Sequence, residues 1–189
     1  GNAYDSIWFQ PGTIVVKHGR LVAGTSIAER DFAYMSVDRS YRDGKYYAGV
    51  IQVTEVPDNR FVQIYRGRVK AVTDNRDVTL QSFSALNGTK WEFYNTPKTF
   101  QMDYDTRIVG PSGVINKREF LSYGPTSCLD KTVYVVAKEA RAVLISTTDY
   151  GMYNAQGEIY AFDSGDTDST PKEHTAIQLK NAKVYNVDK

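Results

Sequence analysis

The sequence predicts an all-β protein with one or two short helices, folded as two small barrels. Eleven short segments rich in β-branched and aromatic residues alternate with Gly, Asp and Asn breaks. Tyr is frequent, 14 among 189 residues, and aromatics reach 13%, which favours strands over helical bundles. The order of these segments also repeats within the chain.

The elements follow in order. Residues 14–17 read as a strand that stops at His18-Gly19, and 26–30 as a short helix. Strand 32–37 is followed by the turn signal Asp43-Gly44 and by strand 46–55. Strands 61–72 and 78–83 come next, then Asn87-Gly88 ahead of strand 90–94, then strand 99–104. Asn116, with Glu119 three residues on, is the N-cap signal for a helix over 116–123. Strands 132–137, 141–147, 157–162 and 176–179 complete the set. Tyr4, Trp8 and Phe9 precede it: buried, they fasten an N-terminal strand; exposed, they stack on a glycan or a partner.

The repeat sets Thr13-Ile-Val-Val, Gly19, Ser26-Ile-Ala-Glu-Arg, Ala33-Tyr-Met and Ala48-Gly-Val-Ile against Thr106-Arg-Ile-Val, Gly113, Arg118-Glu-Phe-Leu, Val133-Tyr-Val and Arg141-Ala-Val-Leu. A second echo joins Gly67-Arg-Val-Lys-Ala-Val and Asp77-Val-Thr-Leu to Gly157-Glu-Ile-Tyr-Ala-Phe and Thr175-Ala-Ile-Gln-Leu. Residues 57–150 therefore contain a whole unit, front half then back half. Residues 1–56 are a back half alone and 151–189 a front half alone. A half sheet buries neither its apolar face nor its edges, so the two ends are expected to pair into a second, discontinuous barrel. A fragment cut out of phase from a longer tandem array is the other reading. Within the whole unit a helix stands between the third and fourth strands, the arrangement of a five-stranded OB-like Greek-key barrel. Immunoglobulin-like β-sandwiches are the alternative, opposed by the single cysteine and the midway helix.

Lys+Arg 23 against Asp+Glu 22 leaves a net charge of +1, so no global field draws the chain to nucleic acid or to an anionic membrane. The longest apolar runs fall far short of the roughly 20 residues that span a bilayer as a helix. One cysteine, Cys128, forbids an intrachain disulfide and a multi-cysteine zinc site. The opening Gly1-Asn2-Ala3 has neither a charged start nor an apolar h-region, and without Met it reads as a segment excised from a longer protein.

Chemistry-bearing patterns are sparse. Cys128, His18 and His174 are far apart in sequence, and no nucleophile elbow, His-Glu-x-x-His or phosphate loop occurs, so no catalytic residue is assigned. Cys128 reads as an incidental loop residue. Asp163, Asp166 and Asp168 form the densest carboxylate cluster; it reads as a solvated hairpin tip, with a calcium loop the alternative. No other cofactor is expected. Asp103 and Asp105 alternate on a strand face. Arg66, Arg68 and Lys70 lie at strand period opposite Tyr65, Gly67 and Val69. That row is a solvated outer face, or, beside aromatics, a single-stranded nucleic-acid contact. Phe100, Met102 and Tyr104 share one face and Trp91 and Phe93 another, both read first as core.

Gly67-Arg-Val-Lys-Ala-Val-Thr, Val78-Thr-Leu, Phe100-Gln-Met-Asp-Tyr-Asp-Thr-Arg-Ile-Val, Thr132-Val-Tyr-Val-Val-Ala and Ala142-Val-Leu-Ile together resemble the β-barrel repeats of Gram-positive bacterial surface proteins that carry S-layer homology domains. Val15-Val-Lys-His-Gly-Arg and Tyr46-Tyr-Ala-Gly-Val-Ile-Gln-Val-Thr resemble the second half of the same repeat. The resemblance implies an extracellular, wall-associated, non-catalytic spacer or binding module, with a cell-wall polymer or neighbouring surface-protein domains as partners. Apart from the resemblance, Trp8 and Trp91, with Arg66, Arg68 and Lys70, are the candidate binding residues.

Overall fold

The structure, a computed structural model, describes residues 4–53, 62–122, 124, 127–148, 153–163 and 176–186. The chain divides into two compact units. One is continuous, Pro57–Asp149; the other is split, Gly1–Val56 with Tyr150–Lys189. In chain order, β1 (Tyr4–Trp8), β2 (Ile14–Lys17), β3 (Arg20–Leu21), β4 (Phe32–Arg39) and β5 (Tyr46–Val53) open the split unit. The continuous unit holds β6 (Gln63–Thr73), β7 (Asp77–Leu80), β8 (Phe83–Asn87), β9 (Lys90–Tyr94), β10 (Lys98–Gln101), β11 (Arg107–Gly110) and β12 (Gly113–Val114). It ends with α1 (Lys117–Leu121), β13 (Thr132–Lys138) and β14 (Arg141–Ser146). The split unit finishes with β15 (Tyr153–Asp163) and β16 (Ala176–Asn186).

In the continuous unit β6 pairs with β7, and β7 with β10, both antiparallel. β10 and β11 run parallel to β14, which pairs with β13, and β13 returns to β6. These pairings close a five-strand ring whose third strand is β10 plus β11, with α1 between the third and fourth strands, as an OB barrel requires. Closure is uneven, since β10 meets β14 through the single pair Gln101↔Arg141 and β11 supplies the rest. Alternation turns Val133, Val135 and Ala137 inward against Val69, Val78, Leu80, Phe100, Ile108 and Ile145. Phe120 brings α1 into the same core. The helix starts where Asn116 Oδ1 accepts the Glu119 N–H at 3.2 Å and stops where the Ser122 hydroxyl donates to the Glu119 carbonyl at 3.0 Å. Gly67 sits where β6 passes from β8 to β7, and a Cβ there would lie 2.4 Å from the Ser82 carbonyl oxygen.

The split unit closes the same ring from another starting point. β15 pairs with β16, β16 with β1, β1 and β2 run parallel to β5, β5 pairs with β4, and β4 with β15. Registers agree between the units: Val133↔Gly67 in one, Ala33↔Gly157 in the other. Bulges recur at Val69/Ala71 and Ile159/Ala161. Arg30 and Asp130, both left-handed with φ 74° and 65°, donate their N–H groups to the Ile159 and Val69 carbonyls. Ile7, Val15, Ala33, Met35, Ile51 and Ile159 make the split unit's core. Two closed rings, rather than pairs of facing sheets, set aside the sandwich alternative.

Three local expectations are corrected. No helix spans residues 26–30; a 3-10 turn at Gly24–Ser26 reaches only Ser26, and the Asp31 carboxylate takes the Ala28 N–H at 2.9 Å in place of a helical carbonyl. Strand 99–104 stops at Gln101, because Asp103–Thr106 is a turn. The segment expected as one strand over 78–83 is instead β7, a bend at Gln81–Ser82 and the start of the hairpin β8–β9.

Candidate functional site

In each barrel the third strand is interrupted by a four-residue turn built the same way. Thr106 Oγ1 donates to the Ala142 carbonyl at 2.6 Å and accepts the Asp103 N–H at 3.0 Å. Thr13 Oγ1 donates to the Ala48 carbonyl at 2.7 Å and accepts the Gln10 N–H at 3.0 Å. The first side chain of each turn folds back onto the third residue: Asp105 N–H donates to Asp103, and Gly12 N–H to Gln10. Asp103 and Asp105 thus serve a turn, not a strand face. The Arg141 guanidinium, 3.0 Å from Asp103, holds that carboxyl below its ordinary range, with the Asp105 N–H assisting. Tyr104, expected in the core, stands fully exposed at the turn's apex.

The basic row lies on β6. Arg66 is half-buried, its guanidinium carbon 5.6 Å from the ring centre of Tyr134, its register partner on β13. Trp91 on β9 approaches Tyr134 from outside at 6.0 Å, and Tyr134 is buried. Arg68 is exposed and 3.7 Å from Asp130. Lys70 is exposed and occupies the bulge, where two residues of β6 face one step of β7, so the three cations do not keep a strict two-residue period. Phe93, expected in the core with Trp91, is 65% exposed.

In OB barrels the face of the second and third strands, with the loops joining strands one to two and four to five, forms the usual ligand site. Here that face is small and polar: Thr79 and Thr99 share a hydroxyl hydrogen bond at 2.7 Å, Arg76 pairs with Asp77 at 2.9 Å, and Gln101 lies beside them. The barrel mouth carries a cluster that the sequence reading missed. Lys98 Nζ lies 5.1, 5.4 and 5.6 Å from the rings of Tyr65, Phe83 and Phe100, and Phe83 stacks on Tyr94 at 5.0 Å. Burial, with Tyr94 nearby, raises the Tyr65 hydroxyl above its ordinary value. The signal was present in the Lys98-Thr-Phe100 alternation, but Tyr65 and Phe83 come from strands far back in sequence.

Trp8, on β1 of the split unit, is half-buried with Lys45 Nζ 3.8 Å above its ring. Phe9 packs partly against that unit's core. Cys128 lies in a loop, as expected, but its side chain is buried in the core; burial pushes its thiol up to about 11, so it stays protonated and unreactive at neutral pH. His18 sits exposed in the two-residue turn between β2 and β3, while His174 lies outside the described residues. Asp163 ends β15 in register with Ala176; Asp166 and Asp168 lie outside the described residues. Among the described residues no three His, Cys, Asp or Glu side chains gather in a way that would hold a metal ion. No helix of the described residues is long and apolar enough to cross a membrane. Comparison with known proteins gives no matching family model, no matching curated protein and no matching solved structure.

Proposed function

We propose that the chain is a non-catalytic spacer and adhesive module of a bacterial cell-surface protein of the S-layer type, working outside the cell against a wall polymer or neighbouring surface-protein domains. The observation that carries this reading is the duplication. One barrel plan is built twice with the same registers, bulges and threonine-tied turns, and what recurs is closure of the ring rather than any constellation of reactive groups. Closed units joined in series give reach without turnover. Trp8 and Trp91 are the aromatics through which adhesion would act, each half-exposed and flanked by a cation or a second ring. Single-stranded nucleic-acid binding draws on Arg66, Arg68 and Lys70. It is disfavoured by the pairing of Arg68 with Asp130 and by the bulge at Lys70, which takes the three cations out of one row.

Co-sedimentation with purified cell-wall sacculi, run beside a single-stranded DNA shift at two salt concentrations, tests the proposal. Saturable wall binding weakened by Trp8→Ala or Trp91→Ala is the expected result. Salt-sensitive DNA binding without wall binding overturns it.

A further inference from the structure

We propose that the split barrel is a mechanical fuse: under tension between the chain's two ends it opens first, at low force, while the inserted barrel stays folded. This deepens the spacer reading by specifying how such a spacer yields.

The argument rests on where force enters each ring. β1 and β16 are antiparallel neighbours, with Tyr4 opposite Lys180 and Trp8 opposite Ala176. The chain before Tyr4 and the chain after Asn186 therefore leave toward the same end of this strand pair, with β16 running six residues past Lys180 and residues 183–186 still paired to β15. Tension drawn through them works on the pairs one at a time from that end. Each hydrogen bond is worth only about 1 kcal/mol net, so sequential opening meets little resistance at any step. Removing β16 also strips β15 of its partner, leaving β15 held to the ring through β4 alone.

The continuous barrel is gripped differently. Its chain enters at the start of β6 and leaves at the end of β14. Both strands are antiparallel to β13, with Gln63 opposite Ala137 and Ser146 opposite Tyr134. β6 and β14 are thus parallel, and tension pulls them from opposite ends along their length. The six β6–β13 pairs and the five β13–β14 pairs then bear the force together and must yield together. Both covalent connections of the continuous barrel lead into the split one. While β1 and β16 remain paired, tension crosses from one to the other directly and bypasses the insert.

The test is single-molecule stretching of the whole chain through enzymatically attached terminal tags, with a thiol-reactive dye in solution. Cys128 is the sole cysteine and is buried in the continuous barrel, so it reports the opening of that barrel alone. Two lengthenings are expected, each on the order of 300 Å for an extended chain of this size. The first comes at the lower force and leaves Cys128 unlabelled; the second exposes it to the dye. One concerted lengthening, or labelling during the first step, overturns the proposal. Wall binding is scored without force, so failure of the fuse and failure of the adhesive reading are separate results.

Discussion

Thr13 and Thr106 each join a turn to the fifth strand of their ring, and neither bond is visible as local sequence. Thr106 reaches a carbonyl 36 residues away and Thr13 one 35 residues away. Their equivalence is legible, because the repeat aligns them; their partners are not, since the contact exists only once the ring has closed. Thr106→Val keeps the shape but leaves the Ala142 carbonyl and the Asp103 N–H without their hydroxyl. A loss of about 1–3 kcal/mol is expected, read as a lower urea midpoint, with Thr106→Ser close to the parent. The Asp103-Tyr-Asp105 misreading has the same root. Phe100, Met102 and Tyr104 keep a period of two, and that alternation masked the Asp-x-Asp-Thr turn signal. Arg66 and Arg68 were legible as an outward pair, but not the bulge that puts Lys70 out of step.

Elements were legible where their cause is local. The strand expected at 90–94 is β9, because Gly88, at φ 64°, fixes the hairpin turn that starts it. The α1 cap was legible for the same reason. β1 was legible only as one of two readings of Tyr4, Trp8 and Phe9, since its antiparallel partner β16 lies at the other end of the chain. The helix expected over 26–30 failed because Asp31 competes for the backbone donor. The β8–β9 hairpin packs its Trp91 against Tyr134. Trp91→Ala is expected to cost about 2 kcal/mol. Amide hydrogen exchange should then speed up in β8 and β9 while β13 and β14 remain protected; uniform acceleration across the barrel would contradict this local role.

At the scale of the molecule, every pairing of the ring from β6 to β14 lies within Pro57–Asp149. Residues 57–149 expressed alone are therefore expected to fold, with one cooperative urea transition. Residues 1–56 alone keep the outer edges of β1 and β4 open and should remain unfolded until residues 150–189 are added in trans. A molten or insoluble product from 57–149 would refute this autonomy. The order of segments was the part of the architecture most open to sequence, because order survives divergence that erases identities. The rings themselves depend on parallel closure between the third and fifth strands, for which no local residue pattern stands.

A ring has no first strand. The split barrel is joined at strand three and left at strand two, whereas the continuous one is joined at strand one and left at strand five. A genetic crossover that slipped a tandem duplication by half a unit would thus still encode two closed barrels. For a lineage of such genes the choice of reading start is neutral to folding, and length can change by whole barrels without a new core being invented.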